Sequence, residues 1–150
     1  MCAAGATPVP LAVPGGESAL ALRSFADAVV LRMAAKNADS AVVIGAGLIG
    51  CEAASSLASR GIATTLVAPE PVPVHRRFGV EVGERVAKML SDIGVRFIGS
   101  AGVAAVEDRT VTLDTGEAID AELVVSATGV RPDCRLAAQA GWLTPRTILC

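Results

Sequence analysis

Gly45, Gly47 and Gly50 stand in the order G-x-G-x-x-G within A-V-V-I-G-A-G-L-I-G-C-E, residues 41–52. That spacing suits main-chain binding of a dinucleotide pyrophosphate. The first glycine allows a sharp turn, the second lets phosphate approach bare backbone, and the third lets a new helix pack closely on the preceding strand. The phosphates would rest on a helix N-terminus, where unpaired N–H groups and the positive end of the dipole favour an anion. A lone G-x-G-x-x-G also arises in tight turns that bind nothing, so the flanks carry the argument. Residues 41–44 suit a buried parallel strand, and 48–60 suit a helix closed by Gly61.

Other chemistries have less to be built from. The four cysteines, Cys2, Cys51, Cys134 and Cys150, are far apart and form no C-x-x-C or metal-ligand cluster. His75 is the one histidine, which leaves little for a His-centred metal site or a Ser-His-Asp triad. A Tyr-x-x-x-Lys dehydrogenase site is excluded because the chain has no tyrosine. No catalytic side chain and no metal ligand is expected.

The bulk composition narrows the partners. With 150 residues and 52% hydrophobic content, the chain has the size and apolar content of one core-forming domain. A net charge of −2 and a pI near 5.4 give no electrostatic reason to expect nucleic acid or an anionic membrane surface. No stretch approaches the roughly 18 consecutive apolar residues of a membrane span. The mean hydropathy of +0.55 is high for a soluble domain and points to apolar surface that meets another domain; with that surface exposed, the isolated chain is expected to self-associate as a homo-oligomer. Residues 1–16 lack the basic start and apolar core of a signal peptide, which makes a cytoplasmic location the default expectation.

The elements that would position the glycines follow from periodicity. Prolines 8, 10 and 14 with Gly15 and Gly16 give an extended leader or linker. Ser24 with Asp27 three residues on reads as a helix start, with Phe25, Val29, Arg32 and Met33 at helical spacing to about Lys36. Residues 62–67 read as a second strand, ended by Ala68-Pro69-Glu70-Pro71. Over 80–93, apolar positions 82, 86, 89, 90 and 93 mark one helix face, with Glu81–Arg85 and Glu84–Lys88 charge pairs on the other. A third strand at 95–98 completes a βαβαβ unit. Residues 103–107, 110–113 and 118–119 then read as an antiparallel meander, and 123–127 as a central parallel strand. Asp133 is expected to cap a short helix to Ala140, with Trp142 packing at its end and a strand starting at 147–150. The fold class is thus α/β: a Rossmann-like parallel sheet with helices on both faces and an antiparallel β-meander crossover.

G-A-G-L-I-G-C-E followed, after the meander, by L-V-V-S-A-T-G-V-R-P-D resembles the NAD(P)-binding domain of FAD-dependent pyridine nucleotide-disulphide oxidoreductases, most closely the ferredoxin-reductase-like branch. The resemblance covers roughly residues 20–150. It implies a leader or linker at 1–23, an NAD(P)-binding domain at 24–133, and at 134–150 the start of a return to an FAD domain. No second G-x-G-x-x-G and no flavin-binding Gly-Asp motif is present, so the chain looks like a fragment of a longer flavoprotein. A stand-alone NAD(P)-binding or sensing module is the alternative.

The same resemblance implies roles. Backbone N–H groups around Gly47, Leu48 and Ile49 would hold the pyrophosphate, and Glu52, read as lying in the first helical turn, would lie near the nicotinamide end. Alternatively Glu52 merely favours a helix N-terminus by about 0.3–1 kcal/mol. Gly129 would line the nucleotide, and Arg131-Pro132 would join the flavin domain. The implied chemistry is hydride transfer from NAD(P)H to FAD and electron delivery to a ferredoxin-like or small-molecule acceptor. Ala68 stands where NAD-specific members carry an acid for the ribose 2′-hydroxyl. Glu70 could reach the ribose from another direction, whereas Arg76 and Arg77 beside His75 could hold a 2′-phosphate or form a solvated basic loop. NADPH is therefore expected to bind at least as well as NADH.

Overall fold

The computed structural model describes residues 4–141. Its centre is a five-stranded, all-parallel sheet in the order β2-β9-β3-β4-β5, formed by β2 (Leu20–Ala21), β9 (Leu123–Ser126), β3 (Ser40–Ile44), β4 (Ala63–Val67) and β5 (Arg96–Ile98). Alternation along the central strands splits their side chains between two cores. Ala41 and Val43 of β3, Leu66 of β4 and Val125 of β9 face one core, while Val42, Ile44, Val67 and Val124 face the other. Both faces are therefore covered, which is why these strands read as continuous apolar runs.

Three helices supply the first cover: α1 (Phe25–Ala35), α2 (Leu48–Ala58) and α3 (His75–Asp92). The second cover is the meander β6 (Val103–Glu107), β7 (Thr110–Leu113) and β8 (Ala118–Asp120), whose Val106, Val111 and Leu113 are buried. Among the described residues, α1, α2 and α3 thus pack on one face of the parallel sheet and the meander on the other. Right-handed crossovers that advance in one direction, β3 to β4 to β5, leave their helices on the same side, and the chain returns across the other side as the meander.

Other sequence expectations need adjustment. The leader is extended but paired: β1 (Ala6–Pro8) lies antiparallel to β10 (Val130–Pro132), and β2 joins the parallel sheet beside β9. These strands lie in a proline-rich leader and pair only with segments more than 100 residues away, so no local pattern announces them. Helix α3 starts at His75, ahead of residue 80, because Gly79 at φ 76° joins a first helical turn to the remainder and interrupts the pattern. On α3, Leu90 is buried, whereas Val82 and Met89, like Ile93 just beyond the helix, are exposed. Arg85 pairs with Glu81 at 3.3 Å as expected, but Lys88 pairs with Asp92 at 3.0 Å instead of Glu84. A lysine with carboxylates four residues away on either side can engage one or the other.

Two helix starts are built from side chains. At α1, Asp27 N–H donates to Ser24 Oγ and Ser24 N–H to Asp27 Oδ2, at 3.1 and 2.7 Å, completing a capping box. At α4 (Arg135–Gln139) the cap residue is Cys134 rather than Asp133, whose carboxylate instead accepts from the Arg135 backbone N–H and guanidinium. The expectations for Trp142 and for residues 147–150 lie outside the described residues. Among the described residues, no helix is long and apolar enough to cross a membrane.

Candidate dinucleotide-binding site

The glycine turn follows β3, and the three glycines do three different steric jobs. Gly45 has φ 102°, and a Cβ there would meet the Ala127 carbonyl oxygen at 2.5 Å. Gly50 is tighter, since its Cβ would lie 1.8 Å from the Gly45 carbonyl oxygen. These two permit the turn and the close seating of α2. At Gly47 a Cβ would meet nothing within 4 Å, so the backbone there fronts open space. Helix α2 begins directly after Gly47, and no side chain caps it. The first intrahelical bond runs from Cys51 N–H to the Gly47 carbonyl at 3.0 Å, which leaves the N–H groups of Leu48, Ile49 and Gly50 without intrahelical acceptors. An open backbone and uncapped donors at the positive end of a helix fit a pyrophosphate.

Three segments meet here at the carboxyl ends of the parallel strands. Beyond β3 lies the glycine turn, beyond β4 the segment 68–77, and beyond β9 the segment 127–129. Backbone bonds tie them together: Gly45 N–H to the Val67 carbonyl, Ala127 N–H to the Ile44 carbonyl and Val74 N–H to the Ala46 carbonyl, each at 2.8 Å. From β3 the sheet runs one way to β4 and β5 and the other way to β9 and β2, so the turn lies at the switch in strand order where open α/β sheets leave a crevice. Gly129, at φ 110°, stands at the same end, and its carbonyl accepts from Val9 N–H at 3.0 Å. Cys51 adds a weak thiol bond to the Ala46 carbonyl at 3.6 Å, and burial pushes its pKa up, keeping the proton on sulfur.

Glu52 lies further along α2 than expected. It is the fifth residue of the helix, beyond the first turn, so the dipole account of it does not apply. It is exposed and lines a groove of about 370 Å³ between α1 and α2, shared with Leu31, Arg32 and Ile49.

At the β4 end, Ala68 is 1% exposed and belongs to the helix-side core, so it offers the cleft no polar group. Glu70 and Arg76, expected to act in opposition, form an ion pair. Arg76 and Arg77 belong to the first turn of α3 rather than to a loop, and the Arg77 guanidinium lies 5.8 Å from the Phe78 ring centre.

Residues that the sequence reading passed over hold this segment in place. The Glu70 carbonyl accepts from Ser100 N–H and the Ala68 carbonyl from Ala101 N–H, both at 3.1 Å. A Cβ on Gly99 would lie 2.6 Å from the Pro71 carbonyl oxygen, and one on Gly83 would lie 2.3 Å from Val72 Cγ2. Val74 adopts the left-handed conformation immediately before α3. A glycine inside a helical pattern costs stability relative to alanine and so points to a packing reason, and Gly83 is open to that reading.

Against known proteins, the profile of the pyridine nucleotide-disulphide oxidoreductases matches residues 1–148. The rubredoxin-NAD(+) reductase of Acinetobacter baylyi is 34% identical over 157 residues, covering 98% of this chain and 40% of that protein. The solved ferredoxin reductase for the CYP199A2 system from Rhodopseudomonas palustris gives a TM-score of 0.87 at 29% identity, over 91% of this chain and 36% of that one. An engineered water-forming NADPH oxidase, made from the Lactobacillus brevis NADH oxidase and solved with NADPH bound, gives 0.83 at 25% identity, over 91% and 31%. The chain thus spans about 40% of the length of the rubredoxin reductase it matches. With sequence and fold agreeing across nearly all of its residues, the chain belongs to the pyridine nucleotide-disulphide oxidoreductase family.

Proposed function

We propose that this chain is the nicotinamide-dinucleotide-binding part of an FAD-dependent reductase, which passes hydride from NAD(P)H to flavin and electrons onward to a ferredoxin-like, rubredoxin-like or small-molecule acceptor. The observation that carries the reading is the division of labour in the glycine turn, with Gly45 and Gly50 closely packed and Gly47 open before an uncapped helix. The bound nicotinamide supplies the hydride and the flavin receives it. This chain's residues bind and orient: Gly47, Leu48 and Ile49 offer N–H groups to the pyrophosphate, Gly129 lines the nucleotide, and Glu52 lies toward the nicotinamide end. No side chain of the chain is assigned as a general acid or base. Such a reductase draws on the cytoplasmic nicotinamide pool, where we place it.

NADPH is proposed to bind at least as well as NADH. The buried Ala68 presents no charge to a 2′-phosphate, and Arg76 and Arg77 are exposed at the start of α3. The engineered NADPH oxidase differs from its NADH-using parent by five substitutions, which remove an aspartate and introduce two arginines. Calorimetric titration tests both parts of this reading. Submillimolar binding of both nucleotides is expected, and Arg76→Ala with Arg77→Ala should weaken NADPH selectively. A preference for NADH above about tenfold, about 1.4 kcal/mol, would mean that Glu70 serves as the acidic ribose ligand. Mixing the chain with FAD and desalting should leave it colourless, because its one Gly-rich fingerprint is the nicotinamide one. A stoichiometric yellow complex would refute the assignment of flavin binding to other sequence.

A further inference from the structure

The ion pair between Arg76 Nε and Glu70 Oε1 joins the two side chains whose charges would pull the choice of nucleotide in opposite directions. They are not equally free to move. The Arg76 side chain is 83% exposed, whereas that of Glu70 is 20% exposed. The Glu70 backbone is held by Ser100 N–H, and Gly99 packs closely on the Glu70 and Pro71 carbonyls. Pro69 and Pro71 on either side restrict it further. The carboxylate is therefore the fixed partner and the guanidinium the movable one.

Resting on the dinucleotide reading above, we propose that Glu70 is an internal competitor for the 2′-phosphate, occupying Arg76 in the nucleotide-free chain so that a 2′-phosphorylated nucleotide has to draw the guanidinium away. Arginine and phosphate form strong charge-assisted hydrogen bonds, but here part of that gain offsets the loss of an existing pair. The displaced carboxylate also remains near the phosphate and repels it. Toward NADH the pair is close to indifferent, because a 2′-hydroxyl neither needs Arg76 nor is repelled by Glu70. The result is a chain whose affinities for the two nucleotides are drawn together, and Glu70 rather than the buried Ala68 sets the ratio.

Calorimetric titration of the full chain with NADPH and with NADH tests this in four forms: unchanged, Glu70→Gln, Arg76→Ala and the double variant. Glu70→Gln should tighten NADPH about fivefold, the equivalent of one exposed ion pair, and leave NADH within about twofold. In the Arg76→Ala background the same change should yield less than about half that gain on a logarithmic scale, since no guanidinium remains to be released. An equal gain in both backgrounds would overturn the proposal by making Glu70 a general negative charge. A loss of NADH affinity above about tenfold on Glu70→Gln would overturn it by making Glu70 the ribose ligand. The melting temperature of each variant, measured without nucleotide, is the control for folding. If the unchanged chain binds neither nucleotide, the dinucleotide reading falls and the proposal with it; if both bind and Glu70→Gln is silent, the proposal alone falls.

Discussion

At the scale of single residues, two glycines three positions apart should fail in different ways. Gly47→Ala adds a methyl where nothing lies within 4 Å, at φ −74°, so the fold should tolerate it. On the proposed binding mode the methyl would stand in the path of the pyrophosphate, and both nucleotides should weaken about tenfold with an unchanged melting temperature. Gly50→Ala would instead push a methyl to 1.8 Å from the Gly45 carbonyl oxygen, costing about 1–3 kcal/mol of stability by urea titration. Equal losses of stability in the two variants would show that the glycine turn is a packing feature only. A second test at this scale concerns Asp27, held below its ordinary carboxylate value of 3.8 by the Ser24 backbone N–H, with the Ser24 hydroxyl and Arg23 N–H adding to this. A depressed folded pKa means that its contribution is present above about 3.8 and is lost as pH falls through the lower, folded value. Acid titration followed by NMR should therefore show the Arg23 and Ser24 amides shifting at the start of α1 below that pH. Asp27→Asn should remove the transition; if the transition persists, the capping box is not its source.

Among the elements, α3 bears most on the proposed nucleotide choice, because it carries Arg76 and Arg77 and packs on the segment that follows Glu70. Gly83, buried on this helix, faces Val72 and Pro73. An added methyl at Gly83→Ala would meet Val72 Cγ2 at 2.3 Å and the Pro73 carbonyl oxygen at 2.7 Å, lifting the helix off the segment. The expected result is a loss of about 1–3 kcal/mol and a larger fall in NADPH than in NADH affinity, because pushing on Val72 and Pro73 shifts the arginine-bearing turn that follows them. A stable variant with unchanged affinity for both nucleotides would show that α3 does not position the site. The left-handed Gly79 separates the arginine-bearing turn from the rest of α3, so the turn follows the packing of Val74 and Pro73 rather than the longer helical segment.

For the whole molecule, the unequal cover of the helix face is the main feature. Helix α1 contains no buried residue, and Phe25 and Met33 are 87% and 56% exposed. Beside it runs the groove shared with α2, lined by Leu31, Ile49 and Leu57. Apolar surface of this kind usually meets a partner. The isolated chain should self-associate, and Phe25→Ser with Met33→Ser should shift sedimentation toward monomer without lowering the melting temperature. A clean monomer at high concentration before any substitution would count against a covered α1 face.

Much of this architecture is local in origin and could be read from residue order. The central strands show as apolar runs because both of their faces are covered, and the helix starts show because Ser24, Asp27 and the Gly45–Gly47–Gly50 spacing act over a few positions. The meander shows because its turns at Asp108-Arg109 and Asp114-Thr115-Gly116 punctuate alternating residues. Other features depend on contacts between distant residues and leave no periodic trace. Pairing of β1 with β10 joins residues 6–8 to 130–132, and a strand set among prolines is recognisable only beside so distant a partner. The meander's position on the face opposite the helices follows from the direction of successive crossovers, which no single segment encodes. The pairing of Glu70 with Arg76 requires a proline-rich turn, the close packing of Gly99 and Gly83, and a helix that starts earlier than its periodicity suggests. The family resemblance singled out both charges; only the tertiary fold decided that they meet.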